Sequence, residues 1–146
     1  MCYLANKYAA GNPIYPSDPQ ARAVVDRWLN FDGSSLYASI GAYYVPVVRE
    51  GQPPNLKARD MFLDKLALVD QCLADSAYLC GNNVTLADLC VVCTVSVAAA
   101  LDFDMSKLKN VNRWMETMKK ELPYLKGIVD PMKEGMSAFV KSKMPK

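Results

Sequence analysis

The chain has 146 residues, a mass of 16.2 kDa and a formal net charge of +2, with 51% apolar and 22% charged residues. That is one globular domain with enough apolar surface for a core, and it excludes a disordered or collagen-like chain. There is no histidine, which excludes Ser-His-Asp and Cys-His nucleophilic catalysis and histidine zinc sites.

The apolar period is helical nearly everywhere, and no run of alternating strands with hairpin signals is visible. The expected fold is all-α, a bundle of five to six helices. Met1 to Tyr8 reads as the end of a helix that should begin earlier. Gly11 to Pro19 holds three prolines and reads as a linker or domain boundary. Asp18-Pro19 is a helix start, with an N-cap carboxylate followed by a ring already set to helical φ. From Pro19 to about Glu50 one long helix is predicted, bent or broken near Tyr44-Val45-Pro46, because proline removes a backbone donor.

A second helix is predicted from about Leu56 to Asp75, with Phe62, Leu66, Val69 and Leu73 on one face. Tyr78 to Asn83 reads as a loop. Val84 to Leu101 carries only one charge, Asp88, and so should be a helix apolar all round, buried in mid-bundle. Val111, Trp114, Met115 and Met118 form the stripe of a further helix, which Pro123 interrupts. From Met105 to Lys146 there are ten Lys/Arg against four Asp/Glu. The charges are interleaved with Trp114, Met115, Leu122, Ile128 and Phe139, so a solvated helix face is expected rather than a nucleic-acid or membrane surface.

The sharpest local signal is Val84-Thr85-Leu86-Ala87-Asp88-Leu89. Thr85 and Asp88 have capping-box spacing, and Val84 and Leu89 have the spacing of a hydrophobic staple. Helix nucleation is the expected role of Asp88, in preference to a catalytic carboxylate. Cys90-Val91-Val92-Cys93 is a CxxC, but it lies inside an apolar helix rather than at a helix N-terminus, so core packing is expected instead of redox or zinc chemistry. The other cysteines are Cys2, Cys72 and Cys80. The odd count and the absence of a secretory leader point to a reduced, intracellular protein with no metal. Tyr37, Gly41, Tyr44 and Val48, spaced four, three and four, share one stripe. It reads either as core or subunit contact, or as the wall of an apolar ligand cleft. Gly41 costs the helix stability and leaves room beside it. Ser34, Ser35 and Ser39 read as helix-face polar residues.

The order of these features resembles the C-terminal helical domain of a cytosolic glutathione transferase. The residues that carry the resemblance are Tyr15-Pro16 with Asp18-Pro19, Phe31-Asp32, Leu36-Tyr37, Tyr43-Tyr44 with Pro46, Gly81 to Asp88, and Arg113-Trp114. It is most similar to the delta and epsilon classes of arthropods, epsilon favoured. The resemblance implies conjugation of glutathione, as co-substrate, to an apolar electrophile in detoxification, in a cytoplasmic homodimer. It implies that 1–9 is the last helix of a thioredoxin-like domain, 10–18 a linker and 19–146 the helical domain. By position, Tyr37, Gly41, Tyr44, Val45 and Val48 match the second-substrate wall, and the helices from Pro19 and Leu56 match those of the dimer interface. The residues that hold glutathione and its thiolate belong to the thioredoxin-like domain, so no catalytic residue carries over and the chain by itself is expected to be inactive. The competing expectation is a non-catalytic helical module that binds a partner or carries a ligand.

Overall fold

The computed structural model describes residues 1–143, apart from the side chains of Lys126, Ile128, Met132, Lys133 and Lys141. The end of the basic tail and the interleaved Ile128 side chain therefore lie outside the described residues. The helices are α1 (Cys2–Tyr8), α2 (Pro19–Phe31), α3 (Tyr37–Glu50), α4 (Leu56–Cys72), α5 (Leu86–Ala100), α6 (Lys109–Glu121) and α7 (Tyr124–Lys143), with a π-helical turn, Asp32–Leu36, joining α2 to α3. No strand occurs among the described residues, only an isolated bridge between Tyr78 and Gly81. The fold is all-α. With the π turn counted as internal, α2 and α3 are one rod and the architecture is six helical rods.

That rod departs from the expected one. The irregularity sits at Asp32–Leu36, and α3 runs through Pro46 to Glu50. A π turn widens the helix and leaves carbonyls short of donors. Here Ser39 Oγ donates to the Ser35 and Leu36 carbonyls at 2.9 and 2.8 Å, and Lys65 Nζ reaches the Ser35 carbonyl at 3.0 Å. Pro46 lacks one N–H, but the helix has only one more turn to make. Gly51 then stops it in the left-handed conformation (φ 64°), where glycine carries no Cβ penalty.

The N-termini follow local chemistry. Asp18 Oδ1 accepts from the Ala21 N–H at 2.8 Å, and Asn55 Oδ1 from the Ala58 N–H at 3.1 Å. On α4, Phe62, Leu66, Val69 and Leu73 are all fully buried. Most of α5 is buried too, with Asp88 in its first turn, and α7 packs across α5 and against α3. Tyr43, Phe62 and Phe103 meet edge to face, a favoured aromatic geometry that ties α3 and α4 to the loop after α5.

Asp88 is the polar centre of this core. It is completely buried, and its Oδ2 accepts the Thr85 N–H and hydroxyl, both at 2.9 Å, within the capping box. Its Oδ1 accepts the Leu79 N–H at 2.9 Å and the Trp114 indole N–H at 3.0 Å. Val84 and Leu89 are half-buried against the same core. One carboxylate thus starts α5, holds the preceding loop and anchors α6. Four donors offset much of the cost of burying its charge.

Candidate functional site

Two stripes run side by side along α3. Ile40, Tyr43 and Val47, in line with Leu36 at the end of the π turn, are buried in the bundle. Tyr37, Gly41, Tyr44, Val45 and Val48 lie around the helix from them: Tyr37 is exposed, and the other four are half-buried. A Cβ placed on Gly41 would meet nothing within 4 Å. The glycine therefore leaves an opening in this face, with no neighbour requiring its small size. Burial raises the pKa of the Tyr44 hydroxyl, and hydrogen bonding to Tyr37 raises it further, against a smaller opposing effect of Arg49. Both effects favour the protonated hydroxyl of Tyr44.

At the π turn, Asp32 is buried with its Oδ1 unpartnered. Cys90 and Cys93 of α5 lie close to it. The Cys90 thiol is pushed up to about 12, first by burial and then by the Asp32 carboxylate. Cys93 is raised by the same two causes. The expected core packing of this pair is corrected here: Cys90 is half-buried and Cys93 exposed, on the open side of α5. A helix apolar all round in sequence still has one side that the bundle does not cover. All five cysteines are free thiols, and neither thiol of the pair has the lowered pKa of a reactive one.

Sequence reasoning missed the junction of α4 with α6. Asp70 Oδ1 accepts the Asn110 and Val111 N–H groups at 2.8 and 2.9 Å, so an α4 side chain caps α6. In return the Arg113 guanidinium reaches the Leu73 carbonyl, where α4 ends, and the Ser76 carbonyl at 2.9 Å. The spacing of about forty residues leaves no local signal. The linker is held likewise: Tyr15 donates to Asp26 at 2.9 Å, Arg22 stacks on its ring, and the Leu86 N–H bonds the Ile14 carbonyl.

No group of three or more metal-ligating side chains is assembled among the described residues, and no described helix is long and apolar enough to cross a membrane.

Residues 39–121 match the family model of the glutathione S-transferase C-terminal domain. Glutathione S-transferase D6 of Drosophila melanogaster is 33% identical over 123 residues, which are 84% of this chain and 57% of that protein. This chain thus spans under two thirds of that relative's length. A delta-class glutathione transferase from Nilaparvata lugens superposes with a TM-score of 0.92 at 34% identity, over 99% of this chain and 68% of that one. An epsilon-class transferase from the housefly, Musca domestica, gives 0.88 at 26%, over 98% and 66%. The expected preference for epsilon is therefore corrected: delta is the better supported class. Glutathione is the co-substrate of this family. On its sequence match and its fold, the chain belongs to the glutathione S-transferase family.

Proposed function

We propose that these helices form the second-substrate half of a transferase that joins the thiol of glutathione to an apolar electrophile. The observation that carries this reading is the α3 face formed by Tyr37, Gly41, Tyr44, Val45 and Val48, half-exposed beside a fully buried stripe and open over Gly41. Such a wall gives an apolar molecule surface to bury, and the tyrosine hydroxyls give it one polar handle. In this reading residues 1–9 are the last helix of a thioredoxin-like domain, which holds glutathione, 10–18 are the linker, and 19–146 are the helical domain. The helical domain binds and orients the electrophile. It supplies no group that ionises the thiol, so this chain alone does not conjugate.

We place dimerisation on α2 and α4. Met61 and Leu68 are exposed on α4, and Leu68 shares an apolar crevice of about 170 Å³ with Trp28, Phe31 and Cys72. The protein is proposed to work in the cytoplasm.

The test is Gly41→Phe in the protein joined to its glutathione-binding domain, assayed with glutathione and 1-chloro-2,4-dinitrobenzene. The KM for the electrophile should rise several-fold and that for glutathione should hold. Equal KM values in variant and parent would reject the wall. Turnover by the 146-residue chain on its own would reject the division of labour.

A further inference from the structure

Asp32 holds a buried oxygen that the electrophile wall does not account for. Its side chain is in the π turn, the residue is only 5% exposed, and Oδ1 has no hydrogen-bond partner. A buried acceptor without a donor costs free energy, so this atom points to a donor that the described residues do not supply. α5 packs on the turn, and the Asp32 carboxylate acts on the thiols of both Cys90 and Cys93. The carboxylate does not join them in a metal-ligating group, so it stands behind the pair as an acceptor.

The two thiols share one face of α5, since residues three apart on a helix have Cβ atoms about 5–6 Å apart. Cys93 Sγ donates to the Leu89 carbonyl at 3.3 Å, so it leans back over the turn that carries Cys90. Cys90 is half-buried and Cys93 exposed, which opens the pair to solvent. Both are held as neutral thiols, first by burial and then by the Asp32 charge. A soft divalent cation would have to drive off both protons. A neutral hydroxylated centre would not, because its departing hydroxyls carry those protons away as water.

We infer that Cys90, Cys93 and Asp32 form a site for arsenous acid, a neutral trivalent oxyacid. Thiols supply the soft ligands that such a centre takes. The S–H bonds of Cys90 and Cys93 and two As–O bonds break, two As–S bonds form, and two water molecules leave. Arsenic stays trivalent and both sulfurs stay reduced, so no oxidant or reductant takes part. The hydroxyl that remains on arsenic is the donor for Asp32 Oδ1. The site shares no residue with the wall from Tyr37 to Val48 and stands or falls separately from the transferase reading.

The experiment adds sodium arsenite to the reduced, purified protein, with phenylarsine oxide as a probe that bonds two thiols and keeps no hydroxyl. Intact mass supplies stoichiometry, calorimetry supplies affinity, and backbone amide shifts locate the site. Arsenite should add one arsenic per chain with loss of two waters, and the shifts should centre on Asp32–Leu36 and Leu89–Thr94. Cys93→Ser, at an exposed position, should abolish both adducts. Asp32→Asn keeps the size of the side chain and removes its charge. It should weaken arsenite several-fold, because a hydrogen bond to a charged acceptor is the stronger kind, and leave phenylarsine oxide unchanged. The parent and Cys93→Ser decide the site even where Asp32→Asn does not fold. Failure of the parent to retain arsenic, an adduct that survives Cys93→Ser, or an Asp32→Asn variant that treats the two probes alike would each overturn the proposal.

Discussion

The indole N–H of Trp114 donates to the Asp88 carboxylate at 3.0 Å across 26 residues, joining the first turn of α5 to the middle of α6. Both residues are fully buried. Removing the carboxylate strands the Leu79 and Thr85 N–H groups and this indole together. Asp88→Ala should therefore cost about 3–5 kcal/mol, a large part of a domain's total stability. Thr85→Ala removes less, roughly 0.5–2 kcal/mol. Urea midpoints of the two variants check the order, and a milder Asp88 variant would contradict it.

The Asp70 cap on α6 separates charge from hydrogen bonding. Asp70→Ala frees the Asn110 and Val111 N–H groups and should cost about 1–2 kcal/mol. Asp70→Asn keeps an acceptor and should cost about half that. Hydrogen exchange at the amides of Asn110 and Val111 should quicken in the alanine variant well before global unfolding.

Gly41 is a stability reserve. Nothing crowds a Cβ there, and the residue lies inside a helix. Gly41→Ala should raise stability by roughly 0.5–1 kcal/mol, seen as a higher Tm. A lower Tm would mean that the glycine is needed for backbone freedom.

Thiol reactivity reports on the π turn. Burial, with the Asp32 charge behind it, holds Cys90 well above an ordinary thiol. Asp32→Asn removes the charge and leaves the burial. The Cys90 pKa should fall part of the way, and alkylation by iodoacetamide at pH 8, followed by peptide mass, should quicken several-fold at Cys90 and less at Cys93. An unchanged rate would leave burial as the whole cause.

Alkali should unfold the protein through its buried tyrosines. Tyr15 and Tyr78 are pushed from 10.0 up to about 12, each first by burial and then by a carboxylate partner, Asp26 and Glu121 respectively. A raised folded-state value means that the stabilisation is fully present below pH 10 and is lost as pH rises towards 12. Stability measured from pH 9 to 12 should fall, and Tyr15→Phe with Tyr78→Phe should flatten the fall. An unchanged slope in that double variant would place the loss elsewhere.

The features legible in the sequence are those that short-range chemistry controls. Asp18-Pro19 starts α2, Thr85 and Asp88 start α5, and the four-three-four spacing of Phe62, Leu66, Val69 and Leu73 assigns the buried face of α4, because capping and helical period act within one or two turns. The stripe from Tyr37 to Val48 was legible in the same way, as a face. Tertiary structure decided the rest. It placed the irregularity of the long rod at Asp32–Leu36, where Ser39 and Lys65 supply the bonds that a widened turn needs. It turned Cys90 and Cys93 to the uncovered side of α5 and brought Asp70 to cap α6. It also brought the N-terminal half of α4 against the loop after α5, residues about forty positions apart. Each of these depends on partners distant in the chain, and local pattern carries no record of which distant groups packing will bring within hydrogen-bonding range.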